Sequence, residues 1–259
     1  MTEEELSRLE QWFQGYCRTF ATPDAEDQGN FTLKETHTYE VCAIITRIAR
    51  DLSLDRNQVL LAGAVALFHD VGRFSQYQRF KTFKDNLSVN HAALGASVLL
   101  EKCVLDSLTK TERELVVRVV TLHNVFSLPE NLDNDSLLFL KMVRDADKLD
   151  IMRVMIEHCR RPEEHRSIIV ALGLPDAPTY SPDVLSALAA QQMVKMTSLK
   201  TLNDFKLLQL AWVYDLHFTT SFRIAQERDY VDIIAATLPD ADEVRIAVQQ
   251  VCAYVDFKS

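Results

Sequence analysis

A histidine and an aspartate stand side by side at His69-Asp70, at the end of the apolar Leu67-Phe68 and just ahead of Val71-Gly72-Arg73. Imidazole nitrogen and carboxylate oxygen are the usual ligands of divalent transition metals. Consecutive residues on a helix point about 100° apart, so a regular helix interior would not aim both at one point. A last turn that breaks toward Gly72 can. One such dipeptide is unremarkable in a chain of 259 residues, so its meaning depends on partners. The chain supplies His37 before the pair, His91 and His123 after it, and then the acidic run Asp145-Ala146-Asp147-Lys148-Leu149-Asp150.

The elements that must position these residues read as helices throughout. Leu6, Leu9, Phe13 and Cys17 recur at helical spacing and predict a first helix from Glu3 to Arg18. Residues 21–31, rich in Asp, Pro, Gly and Asn, read as a loop. A second helix is expected over about 32–51, with Val41, Ile44, Ile45 and Ile48 buried and His37 in its early turns. Asp55 suits the N-cap of a helix over 56–69 that ends on His69-Asp70. Val71 to Leu87 has no clean period, and mixes Arg73, Arg79, Lys81 and Lys84 with Phe74, Tyr77, Phe80 and Phe83. It reads as a basic, aromatic loop: a place for anionic substrate contacts, or simply a solvated surface. Ser88 is a cap for a helix to about Lys102, and Thr111-x-x-Glu114 matches a capping box for one ending at His123. Asp133 or Asp135 caps a long helix to about Cys159. Further helices are expected over 163–172, 183–199, 203–226, 228–237 and 241–256, with prolines at the joints. His37, His69, His91 and His123 thus fall near helix ends or first turns, where side chains from different helices can converge. His158, His165 and His217 lack that placement. The fold class is all-α: one domain over 1–259, with a core of about 32–160 and a helical extension of about 161–259.

Composition narrows the function. A net charge of −9 argues against a nucleic-acid polymer or an anionic membrane as partner. The apolar run from Val59 to Phe68 is too short to cross a bilayer. The acidic N-terminus predicts no signal peptide, and five scattered cysteines without a Cys-x-x-Cys pair predict reduced thiols; both point to the cytoplasm. No Gly-x-Ser-x-Gly elbow, Walker loop or Gly-x-Gly-x-x-Gly motif is present.

His37, His69-Asp70, Gly72 and the run Asp145 to Asp150 resemble the pattern of the HD-domain superfamily of metal-dependent phosphohydrolases: a His, then His-Asp, then a distal Asp on a later helix. The segment Asn90-His91-Ala92-Ala93-Leu94-Gly95-Ala96 resembles the His-Pro-x-x-Gly-Ala segment of the HD-GYP phosphodiesterase branch, with Ala92 in place of proline. The Gly-Tyr-Pro triplet is missing, since His123 is followed by Asn124-Val125-Phe126; this argues against cyclic di-GMP as substrate. The resemblance covers about 35–155 and implies an HD-type helical bundle.

The resemblance places the distal ligand just before a basic residue, at Asp147. Helical spacing agrees: Asp147 shares its face with Val143, Asp150, Ile151 and Val154, whereas Asp145 neighbours Lys141 and Lys148. Asp145 is the fallback. If His91 and His123 both bind metal, the site is binuclear with Asp70 bridging; if neither does, one ion is held by His37, His69, Asp70 and Asp147. The cofactor is therefore one or two divalent ions, drawn from Mn, Mg, Fe, Co, Ni or Zn. Beside the ligands, Arg73 and Lys148 are candidate phosphate contacts, and with Asp70 they form the expected catalytic set. The expected chemistry is hydrolysis of a small-molecule phosphoester, a nucleotide above all. The alternatives are an HD-type di-iron oxygenase, whose ligand set is similar, and a non-catalytic metal-binding helical module. The segment Leu210 to Asp215 either walls the pocket or makes a homodimer contact.

Overall fold

The computed structural model describes residues 1–259, all helix and connecting loop. The helices are α1 (Glu3–Arg18), α2 (Ala25–Asp51), α3 (Arg56–Phe68), α4 (Gly72–Phe80), α5 (His91–Glu101), α6 (Lys110–Leu122), α7 (Asn134–Arg160), α8 (Pro182–Ala189), α9 (Leu202–Ala211), α10 (Thr219–Glu227), α11 (Tyr230–Ala235) and α12 (Asp242–Lys258). They divide into two compact units, Met1–Ala146 and Asp147–Ser259, with the division inside α7.

In the first unit, α3 is buried on every side from Leu61 to Phe68, as expected of a helix apolar all round. Helices α1, α2 and α6 pack on it, while α4 lies on α2 and α5, and α5 on α6. Phe74 of α4 anchors an aromatic cluster: Phe13 and Tyr16 of α1, Phe20 beyond it and Phe31 of α2 all meet its ring at centroid distances of 5.8, 6.0, 5.5 and 6.2 Å.

Several expectations about local structure change. Helix α2 begins at Ala25, not near 32, because Asp24 accepts from the Asp27 amide as N-cap. Its first turns are then tied to α4, since Asn30 donates to the Tyr77 hydroxyl at 2.7 Å and that hydroxyl donates to Asp27 at 3.0 Å. His37 consequently lies mid-helix and not in an early turn. The stretch 71–87 is largely the helix α4 plus a short 3-10 turn at Asp85–Leu87. Its period is hidden because Ser75 and Gln76 face inward beside Phe74 and Tyr77. The capping residues also move: Asn90 caps α5, and Thr109 with Glu112 forms the capping box of α6.

In the second unit, α8 packs on α9, and α12 packs on α8, α9, α10 and α11. The predicted helix over 163–172 is reduced to a 3-10 turn at Glu163–His165, and that over 203–226 is broken into α9, a 3-10 turn at Trp212–Asp215, and α10. Buried Asp204 organises the loops around α9, accepting from the Ser181 amide and hydroxyl at 2.6 and 2.8 Å and from the amides of Lys200 and Thr201 at 2.8 and 3.0 Å. No helix is long and apolar enough to cross a membrane.

Candidate metal centre

Four helices deliver five residues that could ligate a metal to one place in the first unit. His37 comes from α2; His69 is the C-cap of α3, with Asp70 directly after it; His91 is the first residue of α5; His123 is the C-cap of α6. All five are buried. Their donor atoms form two groups sharing Asp70, namely His37, His69 and Asp70, and Asp70, His91 and His123; within each, the atoms lie within 4.8 Å of one another.

Asp70 divides its two oxygens between the groups. Its Oδ2 lies 3.6 Å from His37 Nε2 and 3.7 Å from His69 Nε2, while Oδ1 lies 3.3 Å from His91 Nε2 and 3.8 Å from His123 Nε2. The Nε2 atoms of His37 and His69 are 3.3 Å apart, and those of His91 and His123 are 3.0 Å apart.

The other face of three rings decides what those Nε2 atoms carry. His69 Nδ1 lies 2.7 Å from the Ala66 carbonyl, His123 Nδ1 lies 2.8 Å from the Val120 carbonyl, and His91 Nδ1 lies 2.7 Å from Asp85 Oδ2. Carbonyls and carboxylates accept only, so each Nδ1 carries a hydrogen and Nε2 is the nitrogen each ring turns inward. This is the orientation a metal ligand needs, fixed by an outer partner as metal-binding histidines usually are. Burial, with Arg73 nearby, pushes His91 down to about 3 despite the opposing Asp85, so it stays neutral. Converging imidazole nitrogens around one carboxylate are a donor set suited to divalent ions.

Asp70 is an anion in a buried place. Burial alone would raise its carboxyl, but the charges around it, Lys34 foremost and Arg73 among them, hold it well below the usual carboxylate range. Lys34, one turn before His37 on α2, has Nζ 2.6 Å from Asp70 Oδ2. Arg73 NH1 donates to Asp85 Oδ1 at 2.9 Å, Gln76 Oε1 at 2.8 Å and the Phe83 carbonyl, and its Nε lies 3.4 Å from Asp70 Oδ1. The ring of Phe83 covers both cations, at 5.2 Å from Lys34 Nζ and 5.9 Å from Arg73 Cζ.

Close packing aligns the parts. A Cβ on Gly72 would lie 2.2 Å from the His91 carbonyl oxygen and 2.6 Å from the Gly95 amide nitrogen, so α4 and α5 meet backbone to backbone here. Arg144, nearly buried on α7, donates to the carbonyls of His123 and Val125 and holds the end of α6.

Of the residues expected from sequence, His37, His69, Asp70, His91, His123 and Arg73 come together. Asp147 is half-buried and is the first residue of the second unit, while Asp145 is fully buried. The face argument that separated the two does not hold, because α7 is buried or half-buried at every position from Lys141 to Asp150. Lys148 ion-pairs with the Asp215 carboxylate in the second unit and donates to its carbonyl at 2.8 Å. Lys34, Asp85 and Arg144 are residues that sequence reasoning missed. Lys34 sits at i−3 from His37, a spacing that marks a shared helix face; Asp85 and Arg144 carry no comparable signal.

Residues 35–152 match the family model described as HD domain. The chain carries an HD domain. The match spans His37, the His69-Asp70 pair, His91, His123 and Asp147, so the family assignment and the converging donors fall on the same stretch. HD domains form a superfamily of metal-dependent phosphohydrolases, and the buried His and Asp cluster of this one suits divalent metal. Comparison with curated proteins and with solved structures returns no match.

Proposed function

We propose that the HD domain hydrolyses a phosphoester of a small molecule, with a nucleotide as the best-matched substrate. The observation that carries this reading is the division of Asp70, one oxygen toward His37 and His69, the other toward His91 and His123. Such a carboxylate suits a bridge between two ions, one on each imidazole pair, with Asp147 as the distal ligand that the family pattern implies. Divalent ions in such a site supply an acidified water and a Lewis acid for a phosphoryl oxygen.

The chain's own groups do the rest. Asp70 and the four imidazoles present fixed donors, so little reorganisation is needed to hold charge there. Lys34 and Arg73 bring two positive charges beside Asp70, suited to the non-bridging oxygens of a phosphate. Gln76, Asp85 and the Phe83 carbonyl fix one edge of the Arg73 guanidinium. The half-buried Phe83 ring sets an aromatic surface against both cations, which supports a substrate joining a planar base to a phosphate.

The test is turnover of a panel of nucleotides and other phosphoesters with Mn²⁺, Mg²⁺, Co²⁺ and Fe²⁺, followed as phosphate or phosphomonoester release, with oxygen uptake recorded in parallel. The expected result is metal-dependent hydrolysis without oxygen uptake. Lys34→Met should raise KM about tenfold, the worth of one charge-assisted hydrogen bond. Oxygen consumption by a protein holding two irons would replace this reading with the di-iron oxygenase. Inertness across the panel with metal bound would leave a non-catalytic module.

A further inference from the structure

Asp85 lies on the 3-10 turn between α4 and α5, in a segment with no ligand of its own. Its Oδ2 accepts from His91 Nδ1 at 2.7 Å and from Asn124 Nδ2 at 3.1 Å. Its Oδ1 accepts from Arg73 NH1 at 2.9 Å and from Gln76 Nε2 at 2.9 Å. Gln76 in turn holds the same loop through Ser88 Oγ at 2.8 Å and the Val89 carbonyl at 2.9 Å. One carboxylate therefore fixes the ring of His91, reaches the residue after His123, and clamps the arginine beside Asp70. His69 and His123 each rest instead on a carbonyl of their own helix, Ala66 and Val120.

We propose that Asp85 is a positioning residue that builds the ion position of His91 and His123, and aims Arg73, without serving the position of His37 and His69. The inference rests on the binuclear reading above. The two positions are thus unequal in one respect: Asp85 bonds a ring of one position, His91.

Metal affinity for Mn²⁺ tests this, by calorimetric titration and by elemental analysis after dialysis. Wild type should hold two ions. Asp85→Ala and the isosteric Asp85→Asn should weaken one of them about 10–100-fold, the usual effect of losing an outer partner of a ligand, and leave the other at wild-type affinity. In a His37→Ala background, Asp85→Ala should weaken the ion that remains; in a His91→Ala background it should change nothing. Asp85→Asn should also raise KM for the phosphorylated substrate through Arg73. A wild type that never holds more than one ion sinks the binuclear reading itself. Two ions in wild type with unchanged affinities in both Asp85 variants overturn the role of Asp85. Equal weakening of both ions also overturns it, because a purely structural carboxylate would act on the site as a whole.

Discussion

A Cβ on Gly72 would lie 2.2 Å from the carbonyl oxygen of His91, a contact that no side chain tolerates. The glycine that follows the His-Asp pair therefore does more than end a helix. It lets α4 lie directly against the first turn of α5, which carries His91. The obstructing atoms are backbone, so no rotamer change can relieve them. Gly72→Ala should cost about 3 kcal/mol, at the upper end of overpacking penalties, and should weaken metal binding as His91 is pushed away. Thermal unfolding and Mn²⁺ titration of the variant check both; a wild-type melting temperature would refute the close approach. Gly95→Ala should be milder, since its nearest obstacle is the Val71 side chain at 3.2 Å.

His91 and His123 bring their Nε2 atoms within 3.0 Å of each other, and each ring is tied at Nδ1 to an outer acceptor. A divalent ion suits two imidazole nitrogens that converge this closely beside a carboxylate. Divalent metal should therefore stabilise the protein, by about 2.7 kcal/mol when its concentration is a hundred times Kd. Asp70→Ala should abolish that rise and leave no bound metal. His37→Ala and His91→Ala should each retain about one ion. Melting temperature with and without Mn²⁺, together with metal counts, decides the matter; an Asp70→Ala protein with full metal content would dismiss the centre as drawn.

Asp204 gives the second unit a pH dependence of known sign. Burial alone would raise its carboxyl, but bonds from the Ser181, Lys200 and Thr201 amides and the Ser181 hydroxyl outweigh this and lower it. Its folded value lies below its unfolded value of about 4, so its stabilisation is present above pH 4 and lost as pH falls through the folded value. Asp204→Asn should cost about 2 kcal/mol at pH 7, and the gap to wild type should narrow below pH 4. Unfolding curves at pH 7, 5 and 3.5 measure it; a gap that widens in acid would contradict the assignment.

The parts of the site legible in the sequence are those at helix ends with strong punctuation. His69 and Asp70 close an apolar helix before a glycine, the expected cap at Ser88 lies three residues before His91, and His123 ends a periodic run, so three of the four histidines could be placed near termini. His37 was legible as a candidate donor but not in position, because Gly29 and Asn30 disguise the start of α2. The residues that orient the ligands were not legible. Asp85 acts from a three-residue turn, and its partners Arg73, Gln76, His91 and Asn124 are assembled only by the fold. The choice between Asp145 and Asp147 could not rest on amphipathicity, since α7 has no solvent face there. In the second unit, the long periodic run 203–226 concealed the break at Trp212–Asp215, because buried positions on either side keep the same spacing.

The aromatic cluster on Phe74 has a practical consequence. Helix α1 contributes no ligand, yet Phe13 and Tyr16 from it, with Phe20 just beyond, meet the ring that follows Arg73. It works as a strut behind the donor cluster. A truncated chain starting after residue 20 would retain every donor atom and still lose the wedge that keeps α4, and with it Arg73, seated against Asp70.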